Sequence, residues 1–196
     1  MTKLETNPIT PETAAELNQR QVRIQLFEAI RDIPYFLSDN TTDTSCKSKA
    51  KILGEIFSRL GFDCRLGKCK FNWGHLNLPP WLLEIAAQEF PSLESGHTFL
   101  EVKLQPHNPW IQLDPTWDKA LNPPLPLVTW DGLTSTPLAV KALPGSISLI
   151  TNSNSQPVSL LDLPFPSRDT SSQFLNQFNQ WLKHIRNQNQ TNYPQK

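Results

Sequence analysis

The sequence predicts a single α+β domain. Three stretches repeat apolar residues at helical spacing: Val22, Leu26, Ile30; Cys46, Ala50, Leu53, Phe57, Leu60; and Phe174, Phe178, Trp181, Ile185. Between the second and third, residues 97–104 alternate apolar and polar side chains as a half-buried strand does. The order helix, helix, strands, short helix, strands, helix segregates the two element types, which is the α+β pattern. A length of 196 residues fits one domain with a core of its own.

Thr10, Pro11 and Glu12 read as an N-cap, a first-turn proline and a first-turn acid, opening a helix to about Arg31 that Pro34 ends. A polar loop over 38–45 leads into a second helix from about Ser45 to Leu60, stopped by Gly61. Residues 62–73 read as a strand, or as a hairpin turning at Gly67. Pro79 and Pro80 start a short helix to about Phe90. Strands follow at 97–104 and 110–114, joined around Pro106, His107 and Asn108. Residues 119–166 hold eight of the eighteen prolines and read as surface strands and loops, with 138–140 and 147–150 the best strand pieces. A last helix covers about 169–186, and 187–196 is a polar tail. The domain is thus 1–186, with its informative motifs in 45–118.

Composition removes several functional classes. Hydrophobic residues make up 38% and charged residues 18%, which argues against charge-driven disorder. Eighteen Lys and Arg balance eighteen Asp and Glu, so no basic field draws the chain onto nucleic acid. Neither a dinucleotide-binding nor a P-loop glycine string occurs. With no apolar run of membrane-span length, no signal-like start and only three cysteines, the expected setting is cytoplasmic, away from membranes.

Cys46 opens the second helix on its apolar stripe. First-turn amides lack helical acceptors and the positive end of the helix dipole favours a thiolate, the form of cysteine that attacks carbonyls. A cysteine there also reads as a small buried hydrophobe. The strand pair adds weight. A hairpin that puts Thr98, Leu100 and Val102 on one face with Ile111 and Leu113 places Leu100 opposite Ile111 and Thr98 opposite Leu113. His97 then stands opposite Asp114, and a register displaced by two leaves them diagonal neighbours on one face. A carboxylate beside an imidazole fixes its tautomer and stabilises the imidazolium.

Cys46-x-x-Lys49-Ala50-x-x-Leu53, then Leu60-Gly-Phe-Asp-Cys-Arg65, His97-Thr-Phe-Leu-Glu-Val102 and Trp110-Ile-Gln-Leu-Asp-Pro-Thr116 together resemble the transglutaminase-like superfamily. These are relatives of the papain-like cysteine peptidases. Lys47 stands where animal transglutaminases typically carry tryptophan, so the likeness is to the broad, mostly bacterial group. The resemblance implies a central helix carrying the nucleophile on an antiparallel sheet. It also implies Cys46 as nucleophile, His97 as general base and Asp114 as the acid orienting it. The expected reaction is cleavage or transfer of an amide acyl group in a peptide or protein substrate. Hydrolysis is favoured because water is the default acceptor; the competing expectation is an inactive scaffold of the same fold. Trp73 and His75, with Trp81, flank a stretch bordering the expected cleft and are candidate substrate contacts. Cys64 and Cys69, with His75 nearby, lack the second ligand pair of a structural zinc site, so neither metal nor cofactor is expected.

Overall fold

Proline and glycine set the helix ends. The structure, a computed structural model, describes residues 11–38, 43–151, 158 and 172–192. The Thr10 cap, loop residues 39–42, part of 119–166, the helix start at Asp169 and Thr170, and residues 193–196 lie outside these. Helix α1 (Pro11–Arg31) stops before Pro34, and α2 (Cys46–Arg59) stops before Gly61. Gly61 is left-handed at φ +89. Its N–H donates to Ser58 O while Phe62 N–H donates back to Phe57 O, and the Phe57 and Phe62 rings meet at 5.6 Å. That pair of bonds and its apolar contact form a Schellman stop.

Four strands form one antiparallel sheet in the order β3-β2-β1-β4. They are β1 (Asp63–Asn72), β2 (Glu94–Lys103), β3 (Ile111–Leu113) and β4 (Ser148–Leu149), with helix α3 (Pro80–Glu89) between β1 and β2. β1 runs unbroken through Gly67, so the alternative of a turn there is set aside. Gly67 faces Phe99 on β2, and a Cβ on it would stand 2.3 Å from the Phe99 ring. The glycine makes room for a cross-strand ring. β2 and β3 pair with Leu100 facing Leu113 and Val102 facing Ile111, two residues from the expected register. Trp110 stays outside the ladder, its ring under the Arg65 guanidinium at 4.0 Å and the Lys103 ammonium at 5.2 Å, so β3 starts one residue later. Helix α2 packs across β1 and β2.

The proline-rich segment does more than skirt the surface. Leu121, Leu125, Val128, Trp130, Ala139 and Val140 are buried, and Trp130 meets Phe27 of α1 at 5.8 Å and Phe57 of α2 at 6.0 Å. This wrap decides which side of α1 faces inward. Phe27 and Ile30 are buried, whereas Val22 of the expected stripe is 49% exposed. Residues 138–140 form no strand, and β4 is only two residues long.

Helix α4 (Gln173–Asn192) buries Phe174, Phe178, Trp181 and Leu182. It continues past residue 187, where a polar tail was expected, because Asn189 Nδ2 donates to Ala120 O and Pro123 O at 2.8 and 3.0 Å. Among the described residues no helix is long and apolar enough to cross a membrane.

Candidate active site

The start of α2 is built around a buried carboxylate. Asp43 Oδ2 accepts from Ser45 N, Ser45 Oγ and Ser48 Oγ at 3.1, 2.5 and 2.7 Å, and Oδ1 accepts from Ser38 N at 3.0 Å. The first helical bond runs from Lys49 N to Ser45 O, leaving the amides of Lys47 and Ser48 without a helical acceptor. Cys46 sits at this tip and is 7% exposed.

His97 and Asp114 meet at the opposite wall. Asp114 follows the last paired residue of β3, Leu113, which faces Leu100, so Asp114 projects to the side that His97 occupies on β2. His97 Nε2 donates to Asp114 Oδ2 at 2.6 Å, with both side chains essentially excluded from solvent. The two-residue displacement of the ladder preserves this meeting because an even shift does not turn a side chain to the other face. The carboxylate is further held by Ala139 N at 2.7 Å on Oδ2 and by Thr116 Oγ at 2.5 Å on Oδ1. Thr136 Oγ accepts from Asp114 N at 3.0 Å, and Trp117 Nε1 fixes the Ala139 peptide through its carbonyl at 2.9 Å.

These contacts set the protonation states. Burial alone pushes the His97 imidazole toward neutrality. The charges of Asp114 and Cys46, and hydrogen bonds to both, outweigh it and hold His97 well above the ordinary histidine value. Burial likewise pushes the Asp114 carboxyl up. The imidazolium and the three donors more than compensate, and Asp114 lies below the ordinary carboxylate value. Both shifts run in the direction that favours an imidazolium paired with the Asp114 carboxylate. With Nε2 committed to Asp114, Nδ1 remains as the ring nitrogen for proton exchange.

Cys46 and His97 lie in the wall of a cavity of about 650 Å³ that Tyr35, Phe71, Trp73 and Trp117 also line. Phe71 meets the His97 ring edge-on at 6.2 Å. The structure brings Trp73 into this wall, where its buried Nε1 has no hydrogen-bond partner among the described residues. It does not bring His75 there: that side chain is exposed on the 3-10 turn Trp73–His75, outside the cavity lining. Trp81 is 44% exposed on α3 and also lies outside the lining.

For several residues named in the sequence, periodicity assigned no neighbour. Cys69 stands opposite His97 across the β1–β2 ladder, and Cys64 is half-buried farther along β1. Lys49, one turn beyond Cys46, is completely buried, and its Nζ donates to Arg31 O at 2.7 Å and Thr116 O at 2.9 Å. It ties the helix that carries Cys46 to the turn that carries Asp114. The apolar periodicity of α2 assigned no partner to a lysine at that position. Among the described residues, no group of three or more His, Cys, Asp or Glu side chains is placed to hold a metal ion.

Comparison with protein-family models, curated proteins and solved structures gives no match to this chain.

Proposed function

We propose that the chain is a cysteine enzyme of the transglutaminase-like kind, with a papain-like core, that cleaves an amide or peptide bond through a thioester. The observation that carries the reading is the buried His97, bonded to Asp114 through Nε2 and sharing the wall of an open cavity with Cys46, whose charge adds to its upward shift. A helix carrying the cysteine and packed on an antiparallel sheet is the frame the resemblance implies.

The Cys46 thiolate adds to the substrate carbonyl carbon, and the electron pair of the C=O moves onto oxygen. The Lys47 and Ser48 amides, which lack helical acceptors, are the donors available to that oxyanion. As the tetrahedral species collapses, the C–N bond breaks and His97 Nδ1 delivers its proton to the departing amine, leaving a thioester. Water then enters. His97 takes its proton, hydroxide adds to the thioester carbonyl, and the thiolate leaves with the imidazolium restored. Asp114 stays ionised throughout and keeps the ring oriented. An amine in place of that water gives transfer instead of hydrolysis.

Two measurements test the reading. At about pH 6, iodoacetamide is expected to label Cys46 far faster than the other two cysteines. Burial pushes the Cys64 thiol up to about 11 and raises Cys69 as well. Mass spectrometry of the protein mixed with a peptide and glutamine-amide library is expected to find an acyl adduct on Cys46, absent from Cys46→Ala. Slow, equal labelling of all three cysteines with no adduct leaves the scaffold alternative standing.

A further inference from the structure

The steps of acyl transfer make no use of Lys49, although it is the one lysine of α2 with no exposed surface at all. Its Nζ donates to two peptide carbonyls, Arg31 O at 2.7 Å and Thr116 O at 2.9 Å, and lies 5.9 Å from the centre of the Tyr35 ring. The two carboxylates whose charge reaches it are bonded elsewhere, Asp118 to Arg186 and Asp32 to Arg31. Burial draws the ammonium down to about 7, which shows how strongly the site disfavours a cation. Peptide carbonyls are ordinarily satisfied by neutral donors. A buried cation in that role beside a cleft breaks a local rule, and such breaks concentrate at functional sites.

The bonds that Lys49 makes lead to the cleft. Thr116 accepts from Lys49 at its carbonyl, and its hydroxyl donates to Asp114 Oδ1, while Asp114 Oδ2 accepts from His97 Nε2. Three hydrogen bonds therefore join the ammonium to the imidazole. At the other end Lys49 lies one turn beyond Cys46, and both side chains are buried. Ala50, Leu53 and Phe57, farther along α2, are apolar and buried too. Apolar burial has no direction, so it holds a helix against a sheet without fixing how far the helix slides. A hydrogen bond prefers one distance and angle, and fixes both.

Resting on the acyl-transfer reading, we propose that Lys49 is a positioning residue for that reaction: by holding the Arg31 and Thr116 carbonyls it sets where the Cys46 sulfur stands relative to the His97 ring. Lys49 touches no reacting atom, and its effect is geometric. A displacement of about 1 Å between reacting groups lowers a rate by about 10².

The test uses the full chain with Lys49→Met, which keeps the length of the side chain and removes its donors, and Asp118→Ala as the control for lost stability. The pH profile of iodoacetamide labelling at Cys46 reads the pairing of sulfur and imidazole with no substrate present. Its midpoint is expected to rise by about one unit or more in Lys49→Met, a tenfold loss of thiolate below that range, and to stay near the parent value in Asp118→Ala. With an acylating peptide, kcat per folded molecule is expected to fall about 10²-fold in Lys49→Met while KM changes little. An unmoved midpoint and kcat, or the same change in Asp118→Ala, leaves the lysine a purely structural role and overturns the proposal. Lys49→Gln, which keeps a shorter donor, replaces Lys49→Met if that variant does not fold. The same readings apply to it, with a smaller rise expected. If the parent acylates with no peptide, the acyl-transfer reading is what fails. The labelling profile then decides for Lys49 alone: a rise confined to its variants sustains the positioning of Cys46, and an unmoved midpoint ends it.

Discussion

Two aspartates four residues apart leave the sheet together and do different work. Asp114 and Asp118 are both buried, and each accepts several hydrogen bonds. Asp114 faces an imidazole in the cleft wall. Asp118 faces a guanidinium: Arg186 of α4 donates to its Oδ1 from Nε at 3.1 Å and to its Oδ2 from Nη2 at 2.7 Å, and Tyr35 N donates to Oδ2 at 2.9 Å. Arg186 also donates to Tyr35 O, closing a ring of contacts between α4, the exit of α1 and the turn after β3. An imidazole changes charge near neutral pH and a guanidinium does not. One carboxylate therefore sits against a group that titrates, and its neighbour locks a helix. Burial and residue type are the same in both; the partner decides the role.

The largest expected effect belongs to the first aspartate. Asp114→Asn is expected to lower the acylation rate by roughly 10³ to 10⁴, because the amide no longer enforces the tautomer or stabilises the imidazolium. Urea unfolding is expected to move little in comparison, since the amide keeps the shape of the site. Loss of stability without loss of rate per folded molecule breaks the comparison.

Asp118→Ala is expected to do the opposite. It leaves Arg186, whose side chain is 15% exposed, without its carboxylate, and about 3–5 kcal/mol of stability is expected to go. Acylation per folded molecule is expected to stay within a few-fold of the parent. Urea melts paired with active-site titration separate the two quantities.

Lys49 sharpens the contrast because it serves the turn that holds both aspartates. Lys49→Met leaves the Arg31 and Thr116 carbonyls without their donor, a loss of about 1–3 kcal/mol at the optimum for the parent. The effect depends on pH. Burial draws the Lys49 ammonium down to about 7, against an ordinary value near 10.4 in the unfolded chain. Between these limits the unfolded chain binds more protons, so the lysine's contribution to stability rises with pH from about 7 to about 10 and is flat, at its lowest, below that range. A neutral amine keeps two N–H donors for the two carbonyls, so deprotonation does not undo the contacts. The stability difference between parent and Lys49→Met is therefore expected to grow across that range in urea melts at successive pH values. A flat difference refutes this role.

Legibility in the sequence followed the range of each interaction. The stop of α2 was readable because Gly61 acts on carbonyls within one turn, whereas at its start Ser45 makes no side-chain cap bond and gives its hydroxyl to Asp43. The meeting of His97 with Asp114 was readable although the register was not. Alternation fixes which face a residue takes, and a slip of two keeps it there. The exposed side of α1 was misread at Val22, since the covering segment around Trp130 lies a hundred residues away. His75 was grouped with Trp73 by nearness in sequence, and the tight turn between them sends one inward and leaves the other in solvent. The extra length of α4 depended on Asn189 finding carbonyls beside the 3-10 turn Lys119–Leu121.

By itself the sequence determined an α+β chain with a cysteine at a helix tip and a histidine and an aspartate on one ribbon face. Helix ends and strand faces are set by neighbours a few residues apart. Only the tertiary structure decided that Cys69 lies across from His97, that Lys49 is sealed under the Asp114 turn, and that Asp118 belongs to Arg186. Those pairings depend on which surfaces cover one another, and no periodicity in the chain carries that information.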